Sequence, residues 1–368
     1  MIINILQENL LAALSRIARI VPVKPQLPIV QNVLLSTEEK RLKVVATSLD
    51  ITETVWVGSK VEKEGGICVS ARLLLEFVSS LPKGTVRLAE KDGGLIVQCG
   101  GFRAVIPGIP ANEFPPVSVL EKQHETVMEK GGILDAIERV VFSAATDEGR
   151  PLLTGVRIIQ KEGETVFAAT DGYRLSVKRV SLKTKEGLDL LVPGRALSEV
   201  VKTCFEEKEV KEISMIKPAE GQVAFVIGDT EIQTRLIDGD YPNFEKIIPT
   251  KHNTRLLVEK EVLARAIKSA AIFARDSANI IRFHIENQTF TVSANTPQVG
   301  EDEVVVEAKI DGEGGDIAFN SRFLLDFLAN YKEGEVLFEM TGSLNPGVFR
   351  PPKDDSYLHI IMPVRVQG

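Results

Sequence analysis

The sequence predicts an α+β protein built from three copies of one domain. Two sets of markers carry this prediction. A strand corner recurs at Val45-Ala46-Thr47-Ser48-Leu49-Asp50, at Ala168-Ala169-Thr170-Asp171-Gly172-Tyr173-Arg174-Leu175, and at Val292-Ser293-Ala294-Asn295-Thr296-Pro297. Its alanines, Ala46, Ala169 and Ala294, lie 123 and 125 residues apart. Two helix markers keep nearly the same period. The pairs Ala13-Leu14, Ala136-Ile137 and Ala266-Ile267 are 123 and 130 residues apart, and Arg72, Arg195 and Arg322 are 123 and 127 apart. Repeats of this length are whole domains, unlike solenoid units of about 20–50 residues. At 368 residues the chain exceeds one ordinary core. The expected domains are 1–120, 121–248 and 249–368.

Each copy reads as two halves, and each half as strand, helix and three strands. In the first copy, 2–5 is a strand. Residues 8–21 follow as a helix with Leu10, Leu14, Ile17 and Val21 on one stripe, ended by Pro22 and Pro25. Strands are expected at 29–36, 42–47 and 51–57. The second half starts with a strand at 67–69 and Ser70 as an N-cap, then a helix at 72–81 and strands at 85–89, 95–99 and 102–106.

The second copy gives strand 126–128, helix 132–145, strands 154–159, 165–170 and 175–180, then strand 190–193, helix 196–205 and strands 212–216, 222–227 and 231–237. The third gives strand 255–258, helix 260–274, strands 280–285, 289–294 and 303–308, then strand 317–319, helix 321–330 and strands 335–340, 347–349 and 358–362. Asp171-Gly172 supplies the positive φ that a short hairpin corner needs.

Such halves bury one helix face against one sheet face, which places helices together on one side and sheets on the other. Edge strands pairing between copies would make the sheet continuous. Free edges at the two ends would invite a second copy and closure into a symmetric ring.

Composition narrows the function. The hydrophobic fraction of 44% is that of a globular protein. No apolar run reaches membrane-span length, and no basic segment followed by an apolar one opens the chain, so a cytoplasmic protein is expected. Cys68, Cys99 and Cys204 lack metal spacing and read as buried free thiols. His124, His252, His284 and His359 are scattered and form no zinc set. The net charge of −7 argues against a surface that coats nucleic acid everywhere, while allowing a local basic lining. The charge runs at 183–186 and 206–211 read as solvated loops. No phosphate loop, nucleophile with a base, or metal cluster supports a hydrolase or transferase around Asp171 and Arg174. A peptide-binding scaffold that never meets DNA is the remaining alternative.

The chain resembles the β sliding clamp family of bacterial DNA polymerase III over its full length. The most specific stretches are Ala169 to Leu175, Asp238-Gly239-Asp240-Tyr241-Pro242-Asn243-Phe244, Phe319-Asn320, and the tail Ile360-Ile361-Met362-Pro363-Val364-Arg365. The resemblance implies three DNA-clamp domains in a head-to-tail dimeric ring, with helices lining a pore around duplex DNA. It implies no catalytic activity and no cofactor. The implied partners are the replicative polymerase, an ATP-dependent clamp loader, and other polymerases and repair proteins. These dock short linear motifs in a pocket between the second and third domains.

Carried over by position, the pocket walls are Leu153, Thr170, Gly172, Tyr173, Arg174, Leu175, Pro242, Lys246, Ile247, Asn320, Phe323, Leu344, Ile360, Ile361, Met362, Pro363, Val364 and Arg365. Arg174, Asn320 and Arg365 would fix peptide polar groups. The implied DNA contacts are Lys24, Arg72, Arg150 and Arg195, and helix placement adds Arg16, Arg139, Lys202, Arg265 and Lys268. Phosphate contact is sequence-blind and salt-sensitive, which suits sliding. For the dimer, Ile272 and Phe273 would meet Ala104 and Ile106 on an edge strand, with Glu301, Asp302 and Glu303 facing Arg103. The plainer reading of Arg72, Arg195 and Arg322 is an anchor at a helix start or a pair with the acid one turn on, Glu76, Glu199 or Asp326.

Overall fold

The computed structural model describes residues 1–118, 120, 125–161, 163–182, 187–217, 221–297 and 299–365. His124 and residues 183–186 lie outside them. The chain forms two compact units. One comprises 1–130 and 199–236, the other 131–198 and 237–368.

The first unit holds a 13-stranded antiparallel sheet. Its order is Glu125–Glu129, Glu212–Ile216, Gln222–Ile227, Thr230–Arg235, Ile51–Val57, Arg41–Thr47, Asn32–Glu38, Gly66–Ser70, Phe102–Pro110, Gly94–Cys99, Thr85–Lys91, Ile2–Leu6 and Lys60–Lys63. Strands from the first and second copies therefore join edge to edge, Glu53 opposite Ile232. Helices α1 (Gln7–Ile17) and α2 (Ala71–Ser80) pack together over this sheet. Leu10, Leu14 and Ile17 of α1 and Leu74 and Val78 of α2 are buried, as their spacing predicts.

Ser70 caps α2, its Oγ accepting from the Leu73 N–H at 3.4 Å. Helix α1 stops at Ile17, short of the predicted Val21. The N–H groups of Arg19 and Ile20 turn to carbonyls three residues back, tightening the chain before Pro22. Pro28–Gln31 is a 3-10 turn where a strand was expected, because Pro28 favours a helical start and cannot pair in a sheet. Lys60–Lys63 is a strand that its charge hid.

The second unit holds two sheets. The larger runs Asp189–Pro193, Gly155–Lys161, Glu164–Thr170, Arg174–Val180, Tyr357–Ile361, Gly347–Arg350, Glu335–Met340, Thr254–Glu259 and Ala308–Gly312. The smaller runs Gly300–Val306, Thr289–Thr296, Ile280–Glu286 and Gly315–Asn320. The predicted strand 303–308 is thus two strands, divided at Glu307, and Met362 lies just past the last strand.

Helix α3 (Lys130–Val141) ends before the predicted Ala145, again in N–H bonds to carbonyls three residues back. Helix α4 is Gly194–Glu206. Helices α5 (Lys260–Ala274) and α6 (Ser321–Asn330) take the predicted bounds and pack on each other. Beneath them Phe283, Phe319, Phe338 and Phe349 meet with ring centroids 4.8–6.0 Å apart. The opposite face of the larger sheet carries Val166, Leu175, Val177, Val348, Leu358 and Ile360. Tyr241 and Phe244 of the segment after Arg235 pack onto it.

Cys68, Cys99 and Cys204 are buried and form no disulfide among the described residues. No helix is long and apolar enough to cross a membrane among the described residues.

Candidate functional site

The corner 170–175 is built by its own side chains. Thr170 Oγ1 accepts from the Gly172 N–H at 3.0 Å and donates to the Arg174 carbonyl at 2.6 Å. Asp171 Oδ1 accepts from the N–H groups of Tyr173 and Arg174 at 2.9 and 3.0 Å. Gly172 takes φ 90°, the left-handed conformation that a side chain disfavours. The Tyr241 hydroxyl accepts from the Thr170 N–H at 3.1 Å, fixing the corner to the segment that covers the sheet. Burial pushes the Tyr241 hydroxyl pKa up.

The C-terminal tail closes the corner. Arg174 and Leu175 lie opposite Ile361 and Ile360, and the Met362 N–H donates to the Tyr173 carbonyl at 2.8 Å. The Val364 N–H donates to the Ala318 carbonyl at 2.8 Å, which carries the tail past the start of α6. Tyr173 is 57% exposed yet stacks on Phe323 of α6, centroids 6.1 Å apart. Tyr173, Met362, Ile247 and Leu344 are exposed apolar side chains, while Thr170, Leu175, Ile360 and Ile361 are buried beneath. Leu153, Phe323, Pro363 and Val364 are half-buried, and Pro242, Lys246 and Arg365 are exposed. The set offers an apolar surface with polar edges, as peptide docking requires.

Two expected peptide-fixing groups are engaged within the protein. Arg174 Nε donates to Asp171 Oδ2 at 3.0 Å and its Nη1 to Asp326 Oδ2 at 2.7 Å. Its guanidinium also lies over the rings of Phe323 and Phe142, at 4.9 and 5.7 Å. Asn320 caps α6, its Oδ1 accepting from the Arg322 N–H at 3.0 Å. Arg174 therefore braces the corner, and Arg365 keeps the exposed head. The sequence did not reveal Asp326 and Phe142 as partners of Arg174. Neither belongs to a local motif, although Asp326 stands one turn beyond Arg322.

Behind the corner is a buried neutral network. Ser176 Oγ lies 2.7 Å from His359 Nδ1 and 2.8 Å from Ser143 Oγ. His359 is fully buried and stacks on Phe327 at 4.8 Å, and its Nε2 has no partner among the described residues. Burial, with Arg174 as a second cause, holds its pKa well below the ordinary histidine value.

The basic candidates divide into two groups. Lys24, Arg72, Arg195, Arg265 and Lys268 are exposed, and Lys202 is half-exposed with Nζ on Glu199. Arg72 also pairs with Glu76 at 2.8 Å, as its plainer reading held, whereas Asp326 binds Arg174 rather than Arg322. Arg150 Nη1 donates to the Asp171 carbonyl at 2.7 Å and its guanidinium lies 6.0 Å from the Tyr173 ring centroid, so it stands at the pocket corner. Arg16 and Arg139 do not face solvent. Arg16 is buried against Glu206, Glu207 and Thr230, and Arg139 against Asp135, Glu333 and the Tyr357 ring. Helical spacing put them on the polar stripe, but acids far along the chain cover that stripe.

The seam residues also sort by burial. Ile106 is only 2% exposed and belongs to its own core, because inward residues alternate along Phe102–Pro110. Val105 and Phe102 are exposed instead, and Arg103 with them; Ala104 is half-buried. Ile272 is 54% exposed, while Phe273 packs against the core of the second unit. Glu301 and Glu303 are exposed on Gly300–Val306, which also presents Val305. No cluster of His, Cys, Asp or Glu among the described residues could hold a metal ion.

Three family models match in chain order. They are the N-terminal domain of the DNA polymerase III beta subunit at residues 1–118, its central domain at 128–243, and its C-terminal domain at 245–365. The beta sliding clamp of Synechococcus elongatus is 28% identical over 370 residues, covering 98% of each chain. That of Bacillus subtilis is 27% identical, covering 98% of this chain and 99% of the relative. The solved DNA polymerase sliding clamp of Bacillus subtilis superposes with a TM-score of 0.92 at 24% identity, over the whole of both chains. A sliding clamp from Pseudomonas aeruginosa bound to griselimycin gives 0.92 at 25% identity, also over both whole chains.

Proposed function

The chain belongs to the DNA polymerase III beta subunit family, and from that premise we propose that it is a sliding clamp that encircles duplex DNA and tethers the replicative polymerase and other DNA-processing proteins. It works without catalysis of its own, and an ATP-dependent clamp loader places it on DNA. The observation that carries this reading is the run of three clamp domains, in order, from residue 1 to residue 365. We place their boundaries at 120 and 248.

Two copies join head to tail. Two free sheet edges support this. Gly300–Val306 ends its sheet, and the 102–106 part of Phe102–Pro110 pairs only with Gly94–Cys99 among the described residues. One edge carries exposed Glu301 and Glu303 and the other Arg103, so opposite charges favour this joining over head to head. Lys24, Arg72 and Arg195 meet phosphates weakly. The surface built on Tyr173, Leu175, Ile360 and Met362 docks partner motifs. The working place is the cytoplasm, on the nucleoid.

Topology tests the tether. The clamp is loaded onto nicked circular DNA and isolated with it, and the circle is then cut once. Release on linearisation is the expected result, and retention after cutting would overturn the tether. Ile272→Ala combined with Phe273→Ala is expected to give monomers by analytical ultracentrifugation. Removal of residues 362–368 is expected to abolish binding of a polymerase-derived peptide while the dimer persists.

A further inference from the structure

A cavity of about 260 Å3 opens beside the docking surface, on the same face of the larger sheet. Its apolar part is formed by Ile248, Pro346, Val348 and Leu358. A row of directly opposed residues joins it to the docking floor: Leu175 faces Ile360, Ile360 faces Val348, Val348 faces Glu339, and Glu339 faces Arg255. Opposed residues share a face, and strands lie about 4.8 Å apart. Val348 is thus about one strand spacing from Ile360, and Glu339 about two. An extended chain covers that second distance, about 10 Å, in roughly three residues.

The polar side of the cavity carries surplus positive charge. Lys251, Arg350 and Glu339 line it. Glu339 is already neutralised, since its Oε1 accepts from Arg255 Nε and Nη2 at 3.0 and 2.6 Å and from Arg350 Nη2 at 2.8 Å. Burial alone would raise its pKa, but Arg350 and Arg255 outweigh burial and lower it. Arg255 stands behind Glu339, Lys251 is exposed at the mouth, and His252 Nδ1 lies 3.6 Å from Glu339 Oε1. Arg350 Nη1 reaches Asp355, whose side chain is 90% exposed, and its Nε has no partner among the described residues. An anion is the complement of such a lining, and the apolar floor suits the methylenes beneath it.

We propose that this cavity reads an acidic residue of the docked partner peptide, about three residues from the side chain seated over Leu175 and Ile360. The proposal rests on the docking reading and adds a second, electrostatic recognition element to it. The probe is a fluorescent peptide from the docking segment of the cognate polymerase, extended at either end by Gly-Gly-Asp or by its neutral counterpart Gly-Gly-Asn. Binding is followed by anisotropy on the full-length protein. At one of the two ends the Asp form should bind about 3- to 10-fold more tightly than the Asn form at low ionic strength. Screening in 0.5 M salt should remove that gain, and so should Lys251→Ala or Arg350→Gln.

Equal affinity of the Asp and Asn forms at both ends would overturn the proposal. So would a gain that survives both substitutions. The unextended peptide separates this failure from that of the docking surface. If it binds the wild type and both variants alike, the surface stands whatever the acid does. If it does not bind the wild type, the docking reading falls and takes the proposal with it.

Discussion

Arg16 and Arg139 occupy one place in the repeat, 123 residues apart, and their acids Glu206 and Glu333 another, 127 apart. In each unit the guanidinium is buried and bonded to that acid, Arg16 at 2.7 Å and Arg139 at 2.5 Å. Their surroundings differ at one further shared position. Glu53 and Ser176 are also 123 residues apart. Ser176 sits in the neutral network with Ser143 and His359. Glu53 is fully buried, and neither carboxylate oxygen has a partner among the described residues.

Arg16 of α1, Arg19 just beyond it, and Glu199 and Glu206 of α4 act on Glu53, with Lys202 paired to Glu199 and Glu207 to Arg16. Three cations match three carboxylates only while Glu53 keeps its proton. Burial is the main cause that raises its pKa from the ordinary 4.5 to about 7, with Arg19 opposing and Glu199 adding. One backbone plan thus sets a buried carboxyl beside the arginine–acid pair in one unit and a neutral hydrogen-bond network at the matching position in the other.

The largest effect is expected from breaking the arginine contacts. Arg139→Ala takes from Glu333 its guanidinium partner and removes the contact with the Tyr357 ring, 4.9 Å away, while Asp135 keeps Lys332 at 2.9 Å. Loss of about 3 kcal/mol or more is expected in urea unfolding. Arg16→Ala should cost less, about 2 kcal/mol, because Glu206 keeps Arg19 at 2.6 Å. Equal losses would erase the distinction between the two seams.

These arginines also mark where the sequence was legible and where it was not. Helix spacing, repeat period and most strand bounds could be read because they follow local patterns of burial. The roles of Arg16 and Arg139 depend on acids 190 and 194 residues away, which no local pattern reports. The clue was present in the shared intervals, since Glu206 and Glu333 repeat with the spacing of Arg195 and Arg322. The corner at Thr170 was legible in outline from Asp171-Gly172. The engagement of Arg174 with Asp326 was not, because it needs the docking of α6. Ile106 was misassigned for a simpler reason: hydrophobicity alone does not tell which face of a strand is buried.

The second prediction turns on the proton of Glu53. The folded state holds it up to about pH 7, whereas the unfolded chain releases it near 4.5. The folded state therefore binds more protons between these values, and the stability of the first unit falls as pH rises through that window. Glu53→Gln cannot ionise. Its gain over the wild type should be absent at pH 4, grow from pH 4.5 to 7, and level off near roughly 3 kcal/mol at pH 8. A gain that does not vary with pH would show that Glu53 is not the group being titrated.

His359 should give the opposite trend in the second unit. Its pKa is lowered by burial and by Arg174, so the folded state stays neutral where the unfolded chain takes up a proton below about 6.5. Stability should fall by about 1.4 kcal/mol per pH unit below that value, until the folded histidine itself protonates. His359→Leu should flatten this slope. Hydrogen exchange resolves the two units, so lowering the pH below 6.5 should loosen amides around Ser176 while raising it from 4.5 to 7 loosens those around Glu53. Parallel trends in both places would refute the contrast.

The smallest effect concerns the corners themselves. Thr47 and Thr170 make the same turn, each accepting from the N–H two residues on, at Leu49 and Gly172, and donating to the carbonyl four residues on, at Ile51 and Arg174. Both turns need a positive φ at the third residue, 78° at Leu49 and 90° at Gly172. A leucine there carries strain that glycine avoids, and Leu49 is 39% exposed, so little packing offsets it. Leu49→Gly should therefore be neutral or stabilising by up to about 1 kcal/mol, in spite of the greater freedom it gives the unfolded chain. Gly172→Ala should cost about 1 kcal/mol because its φ of 90° strains a side chain, while the added Cβ meets Arg150 Nη1 and Leu153 only at ordinary contact distances of 3.5 and 4.0 Å. Thermal melts of the two variants measure opposite signs if the corners share one backbone and differ in use. A destabilised Leu49→Gly would mean that the leucine side chain holds the first corner through contacts worth more than its strain.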